Sequence, residues 1–278
     1  MGVNKHTWKP TQRNRNIGTA KQGLSQNNKF SIPDRWSHYG VYWEHLENPV
    51  LWPFEVNGHS MKMLIEPVRP GYLHSVTPHD IRQLLSLIEK QHLEEIELIV
   101  LRQPKKKEEI MQPVWGRFIY YAYLEKFSGP SIYLEAVKSG QVIKWSKKQD
   151  PFYMKELDAL GKDGHVIKAA KRNFEISTSP DAVRNTQLFR SLPHEIGHAM
   201  DYLNNSIIPS AEAGSEEESD YIYESFKAKP FKDKEEYANR YAREFYEKWQ
   251  RQGFLPFDRV VNEKELLEIG VELSWFIA

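Results

Sequence analysis

The sequence predicts an α+β fold in which a mostly antiparallel sheet precedes a helical C-terminal half. Two observations indicate this order. Between residues 97 and 178, short apolar runs are separated by turn-forming residues, as is typical of strands. After residue 179, apolar residues recur at the three- and four-residue spacing of amphipathic helices. The length of 278 residues suits one large domain, or a C-terminal domain with an N-terminal piece of similar size.

The N-terminal part of the chain carries few regular patterns. Residues 1–29 contain lysine and arginine but no acid, which predicts a disordered basic tail. Residues 30–75 are dense in Trp, Pro and His without a clear period, and we expect irregular packed structure there. A helix is predicted to begin at Thr77, because Thr77-Pro78-His79-Asp80 is a capping signature with proline at the first helical position.

The central part is predicted to hold the strands. Strands are predicted at 97–102, 114–124, 131–137, 141–145 and 173–178, with a loop at 105–107. A short helix is predicted from Asp150-Pro151 to near Gly161.

The C-terminal half is predicted to be helical. One core-facing stripe runs from Leu188 to Leu203, and Pro193 is expected to bend this helix or restart it. A second helix is predicted from about Asp233, as N-cap, to Trp249. The acid-rich segment 212–220 between them is predicted to be a mobile surface loop. A last helix is predicted from the capping box at 262–265.

The most informative motif is His194-Glu195-Ile196-Gly197-His198. Residues four apart lie on one helical face, so His194 and His198 can both reach one metal ion at the ~2.0–2.1 Å that zinc requires. Glu195 then lies beside the ion, where a carboxylate can take a proton from an activated water. The alternative is an amphipathic helix that carries two histidines by chance.

A metal site of this type needs a third protein ligand. The pattern HExxHxxGxxH is excluded, because Asp201 and Asn204 stand where its Gly and His would be. A carboxylate from the helix at 233–249 is the other solution, and Glu235 is the first candidate. Glu224, Glu236 and Glu244 remain alternatives.

Residues 186–249 resemble a known family. The HEIGH motif followed by Glu235-Glu-Tyr-Ala-Asn-Arg-Tyr-Ala242 is similar to the HExGH and ExxA[NDE]xFA pair of gluzincin metallopeptidases. Within that clan it looks like the ImmA/IrrE-type regulatory metallopeptidases and the catalytic domains of the anthrax lethal factor and Pro-Pro endopeptidase group. The resemblance implies Zn²⁺ held by His194, His198 and Glu235. It also implies that Asn239 hydrogen-bonds a zinc-binding histidine.

The same resemblance implies a fold and an activity. It implies a zincin-like metallopeptidase domain at 113–278 with an active-site helix, after an N-terminal region of unknown role at 30–112. It also implies a zinc-dependent endopeptidase with Glu195 as general base and with the strand at 173–178 either binding substrate or lying in the core. The tyrosine that the lethal factor group uses to stabilise the oxyanion is replaced by Ala228, with Tyr221 and Tyr223 as alternatives.

Composition limits the partners. The formal net charge is zero, which disfavours nucleic acid, and the expected partner is a protein or peptide substrate. No apolar run suggests a membrane span or a signal peptide, so a cytoplasmic protein without a membrane partner is expected. The absence of cysteine leaves imidazole and carboxylate as the strong metal ligands. Oligomeric state is not predicted.

Three other functions stay open. The first is a regulatory zinc protein that binds one partner without turnover or cleaves that partner alone. The second is a structural zinc module with four protein ligands. The third is an effector that acts in another cell.

Overall fold

The computed structural model describes residues 42–105, 115–124, 126–147 and 151–277. The predicted basic tail at 1–29 and most of the predicted loop at 105–107 lie outside these residues. The described residues from Trp43 onward form one compact unit.

The strands lie between residues 42 and 177 and build three sheets. They are β1 (Tyr42–Glu44), β2 (Val50–Val56), β3 (His59–Ile65), β4 (Tyr72–Leu73), β5 (Leu98–Arg102), β6 (Gly116–Leu124), β7 (Phe127–Glu135), β8 (Val137–Lys138), β9 (Val142–Ser146), β10 (Val166–Ala169) and β11 (Asn173–Ser177). The main sheet has the order β1-β6-β7-β5-β3-β2. The small sheets are β10-β11-β9 and β4-β8.

The main sheet is mixed. Its pairs β2-β3 and β6-β7 are antiparallel, whereas β5 lies parallel to both β3 and β7. The prediction of a mostly antiparallel sheet therefore holds for the small sheets and these two pairs but not for the centre. Every residue of β5 is buried, which fits a central parallel strand covered on both faces.

One sequence prediction about strands is wrong, and one of two alternatives left open for another strand is excluded. Residues 50–65 form an antiparallel hairpin and not irregular structure; inward residues of β2 alternate with exposed ones, and Asn57 and Gly58 make the turn with positive φ. The strand predicted at 173–178 is observed as β11, but it cannot accept a peptide strand. Both of its edges are already paired, with β9 and with β10.

The C-terminal half is helical, as predicted. The α-helices are α1 (Pro78–Leu85), α2 (Pro151–Asp163), α3 (Pro180–Thr186), α4 (Leu192–Tyr202), α5 (Ile208–Glu212), α6 (Glu216–Ala228), α7 (Phe231–Arg251) and α8 (Glu263–Glu268). Two π-helical turns, Gln187–Ser191 and Leu203–Ile207, join α3, α4 and α5 into one continuous helical run.

Local chemistry explains where several helices begin and end. The Thr77 side chain accepts from the Asp80 N–H and the Asp80 side chain accepts from the Thr77 N–H, so the predicted capping box of α1 is confirmed. The Asn262 side chain likewise accepts from the Glu265 N–H, but α8 ends at Glu268, ahead of Gly270, whose φ is +81°. Helix α7 begins at Phe231, so Asp233 lies in its first turn and is not the N-cap.

The segment 212–220 was predicted as a mobile loop, and this is wrong. Most of it belongs to the end of α5 and the start of α6. The Ser215 side chain accepts from the Glu218 N–H, and three glutamates occupy the first turn of α6. Acidic side chains there are stabilised by the positive end of the helix dipole, so the charge run marks a helix start.

One apolar core lies between the main sheet and the helices. It includes α4 residues Leu192 and Ile196, which are fully buried, and α4 packs against β6 and β7 on one side and against α7 on the other. A smaller apolar cluster lies between α2 and the β10-β11-β9 sheet. Among the described residues, no helix is both long and apolar enough to cross a bilayer.

Candidate metal centre

The motif helix α4 starts where the sequence places Pro193. Proline removes one backbone donor and its ring clashes with the carbonyl four residues earlier in a regular α-helix. Here a π-helical turn precedes it, and the Leu192 N–H donates to the Gln187 carbonyl, five residues back. The predicted restart of the helix at Pro193 is therefore confirmed, and it sets the direction in which α4 presents His194 and His198.

Helices α4 and α7 approach each other closely at Gly197. A Cβ atom on Gly197 would lie 2.8 Å from the Ala238 Cα, 3.0 Å from the Ala238 carbonyl oxygen and 3.1 Å from the Tyr241 Cβ. No side chain fits at that distance, so glycine at the centre of the motif allows the backbones to meet. The contact brings Glu235, one turn before Ala238, up to the two histidines.

The predicted histidines and carboxylates do come together. The ligand atoms of His194, Glu195 and His198 lie within 4.8 Å of one another, so this group is positioned to hold a metal ion. The His194 Nε2 atom is 3.4 Å from one Glu235 carboxylate oxygen, and the His198 Nε2 atom is 3.4 Å from the other. The side chains of His194, His198 and Glu235 are 18 %, 12 % and 23 % exposed, so solvent reaches them.

The distance of 3.4 Å separates two interpretations of these contacts. A charge-assisted hydrogen bond between imidazolium and carboxylate is about 2.7–2.9 Å long. Two ligand atoms that each lie ~2.0–2.2 Å from one tetrahedral ion are about 3.4 Å apart. The observed spacing, found twice, matches two ligands of a shared ion better than a direct ion pair.

Glu195 lies against strand β6. It is 7 % exposed and its carboxylate accepts from the Phe118 backbone N–H. A Cβ atom on Gly116 would lie 3.5 Å from the Glu195 Cγ, so glycine leaves room for this side chain. The two carboxylates of the centre are thus held by different elements, Glu195 by the sheet and Glu235 by α7.

The electrostatics of the two carboxylates differ. Burial raises the pKa of Glu195 above its ordinary value, although the charges of His194 and His198 oppose this. Burial also acts to raise the pKa of Glu235, but the close contacts and charges of both histidines outweigh it and hold the pKa at about 2. Glu195 is therefore the carboxylate more easily protonated, and Glu235 the one that stays ionised.

Asn239 and the alternative third ligands, Glu224, Glu236 and Glu244, differ in their contacts. Asn239 is close enough to His194 to act to raise the pKa of its imidazole, and the role that the resemblance implies for it stays a prediction. Glu236 and Glu224 are mostly exposed and pair instead with Lys232 and Lys227. Glu244 is exposed and takes part in none of the histidine contacts.

The two tyrosines proposed for the oxyanion are on α6. Tyr221 is 74 % exposed, and the ring of Tyr223 lies beneath the Lys227 ammonium at 5.2 Å. Tyr120 on β6 is a different candidate: burial raises the pKa of its hydroxyl, and the charges of Asp201, Glu235 and Glu195 act in the same direction. A bulge between Ile119 and Ala122 sets the direction of its side chain.

Sequence reasoning missed the strand side of the centre. Gly116 and Phe118 carry no motif, and only their register on β6 brings them to Glu195. It also missed Asp201, which is fully buried and forms an ion pair with Lys229 at 2.7 Å. Asp201 lies three residues after His198, and that spacing on a helix is the one signal that points to it.

Comparisons with family models, with curated proteins and with solved structures found no match to this chain. The functional argument therefore rests on the geometry of the centre and on the residues that build it.

Proposed function

We propose that this protein is a zinc-dependent endopeptidase with a zincin-like catalytic domain. The observation that carries the proposal is the pair of 3.4 Å distances from the Glu235 carboxylate to the Nε2 atoms of His194 and His198. Two imidazoles and one carboxylate are the donor set of hydrolytic zinc sites, which keep a further position open for water. The partial exposure of all three side chains supports access by solvent and substrate.

In this proposal each side chain has one task. His194, His198 and Glu235 hold the ion, and Asn239 orients the His194 ring. When bound, zinc supplies a Lewis acid that polarises the scissile carbonyl and acidifies a water molecule. Glu195 takes a proton from the water that attacks the carbonyl carbon, and it delivers that proton to the amine nitrogen as the C–N bond breaks.

The Phe118 N–H fixes where Glu195 acts. By donating to the carboxylate, it holds Glu195 against β6, whereas Glu235 contacts both histidines. These different contacts support the assignment of Glu195 as the proton carrier and Glu235 as the ligand. The alternative of a regulatory protein that binds a partner without turnover uses the same ligands, so only an activity measurement separates the two.

The test compares Glu195→Gln with Glu236→Gln, a matched change on the exposed face of α7. We expect Glu195→Gln to bind one zinc ion per chain, measured by metal analysis, and to lose about 10²–10⁴-fold in the rate of peptide hydrolysis. Glu236→Gln should keep both the bound zinc ion and the wild-type rate of peptide hydrolysis. Glu235→Gln should lose zinc.

Two results would overturn the proposal. If the wild-type protein takes up no divalent ion, the centre is not a metal site. If it binds zinc but cleaves no member of a broad peptide library, the non-catalytic alternative is correct. Hydrolysis by Glu195→Gln at the wild-type rate would contradict the role given to Glu195.

A further inference from the structure

Four lysines lie between residues 227 and 234, and one of them differs from the others. Lys227 pairs with Glu224 at 3.1 Å, Lys229 with Asp201 at 2.7 Å and Lys232 with Glu236 at 3.7 Å. Within the described part of the chain, the Lys234 ammonium has no carboxylate at ion-pair distance. Its one protein acceptor is the Lys227 carbonyl at 3.4 Å, a long hydrogen bond.

The Lys234 ammonium is held in place by aromatic rings. Its Nζ atom lies 4.6 Å from the Phe226 ring centroid and 5.6 Å from that of Tyr120. Together with Tyr202, these rings form an aromatic cluster with centroids 5.1 to 5.9 Å apart. Cation–π contact with two rings orients the ammonium without neutralising its charge.

The aromatic cluster (Tyr120, Tyr202 and Phe226) borders the metal centre on two elements. Tyr120 lies two residues after Phe118 on β6, and the two rings contact at 5.0 Å. Tyr202 lies one turn after His198 on α4. Lys234 itself immediately precedes Glu235 on α7. The ammonium is therefore held by rings on elements that also build the proposed catalytic centre or adjoin it.

We propose that Lys234 determines specificity by binding a substrate carboxylate close to the scissile bond. This inference rests on the proposed endopeptidase function. A half-buried ammonium keeps donors for a ligand only where no internal acid occupies them, and Lys234 is the lysine of this segment for which that holds. Asp201, the nearest acid to act on it, is already bound by Lys229 through both carboxylate oxygens, at 2.7 and 2.9 Å.

Two sources can supply that carboxylate. It is either the side chain of an aspartate or glutamate near the cleaved bond, or the C-terminal carboxylate of a short peptide. Both are planar anions that accept from an ammonium in the same way. Peptides that differ in one group at a time separate the two sources.

The experiment uses the zinc-loaded full chain and peptides derived from one cleaved library member. Each position near the cleaved bond carries either Glu or Gln, and each peptide has a free or an amidated C-terminus. Lys234→Met keeps the apolar stem on the rings and removes the charge. Lys232→Met is the matched control, because that lysine is exposed and already paired.

We expect the wild type to prefer one acidic form over its neutral counterpart by about tenfold in kcat/KM, as for loss of one charged hydrogen bond. Lys234→Met should abolish the preference, so that the acidic and neutral peptides are cleaved with similar kcat/KM, whereas Lys232→Met should keep it. Calorimetry should show that the Glu195→Gln protein binds the same peptides with the same preference and without turnover.

The outcomes distinguish this inference from the proposed function. If the wild type cleaves peptides but prefers none of the acidic forms, or if Lys234→Met retains the preference, the role of Lys234 is wrong and the peptidase assignment stands. If no peptide is cleaved and none binds to Glu195→Gln, the proposed peptidase function is wrong, and the role of Lys234 that rests on it is wrong as well. A preference for the free C-terminus over the amide would identify a terminal carboxylate as the ligand.

Discussion

Two clusters of ionisable side chains in this molecule differ in how their charges are balanced. The arginine network (Arg102, Arg117, Glu44 and Glu135) lies where β5 and β7 end. Arg102, whose side chain is 1 % exposed, contacts both Glu44 oxygens at 2.8 and 2.9 Å and Glu135 at 3.2 Å, and Arg117 also pairs with Glu135. In the candidate metal centre, by contrast, each of the two imidazole Nε2 atoms lies 3.4 Å from one oxygen of the Glu235 carboxylate.

The difference shows which cluster is complete without a ligand. The arginine network contains its own cations, and its distances are those of charge-assisted hydrogen bonds. The candidate metal centre gathers nitrogen and oxygen lone pairs around a common point, and among the described residues no lysine or arginine pairs with its carboxylates. Buried charge that is balanced internally indicates structure, whereas converging lone pairs indicate a site for an ion.

The largest expected effect comes from breaking the arginine network. Arg102→Met leaves Glu44 and Glu135 buried beside an apolar side chain, so the free energy of unfolding should fall by about 3–5 kcal/mol in urea denaturation. Lys62→Met removes a half-exposed pair with Glu97 and should cost no more than about 1 kcal/mol. Equal losses in both variants would contradict the structural role of the network.

The next largest expected effect is stabilisation of the fold by zinc at the candidate metal centre. Zinc at a free concentration of 100 times its Kd should raise the free energy of unfolding of the wild type by about 2.7 kcal/mol, and a chelator should reverse this. Glu235→Gln should show little of this gain, because one of three ligands is lost. A wild-type protein whose urea midpoint does not respond to zinc would remove the contrast between the two clusters.

The smallest effect concerns a buried histidine outside the metal centre. The His74 Nε2–H donates to the Glu66 carbonyl at 2.7 Å, and complete burial lowers the pKa of His74 to about 4. Below the ordinary value of 6.5, the unfolded chain binds a proton that the folded chain does not, so stability falls as the pH drops. Moving from pH 7.5 to pH 5.5 should cost about 1 kcal/mol through this group.

His74→Gln tests that assignment. The glutamine amide can replace the hydrogen bond to Glu66 but does not titrate. The variant should therefore lose less stability than the wild type between the two pH values, by about 1 kcal/mol in urea denaturation. An identical pH dependence in the two proteins would show that His74 is not the titrating group.

The sequence predicts what is local in this fold. The capping box at Thr77, the apolar stripe from Leu188 to Met200 and the restart at Pro193 each depend on residues within one or two turns, and the structure confirms them. Register along a helix also predicts that His194 and His198 share a face.

What the sequence does not predict is set by contacts between distant segments. The parallel pairing of β3, β5 and β7 depends on how the strands cross over, and no short pattern encodes this. The approach of β6 to Glu195 has the same origin. Segment 212–220 was misassigned for another reason, since acids at the start of a helix resemble the composition of a loop.

The two π-helical turns in the run from α3 to α5 have one more consequence. Each comes directly before a residue that precedes a proline, Leu192 before Pro193 and Ile208 before Pro209. A π-helical turn takes up one residue more than an α-helical turn, which rotates all that follows by about 100° around the axis. The facing of the two imidazoles thus depends on that extra residue in the turn at 187–191. If the same residues wound as a regular α-helix, His194 and His198 would be rotated by about 100°, away from α7.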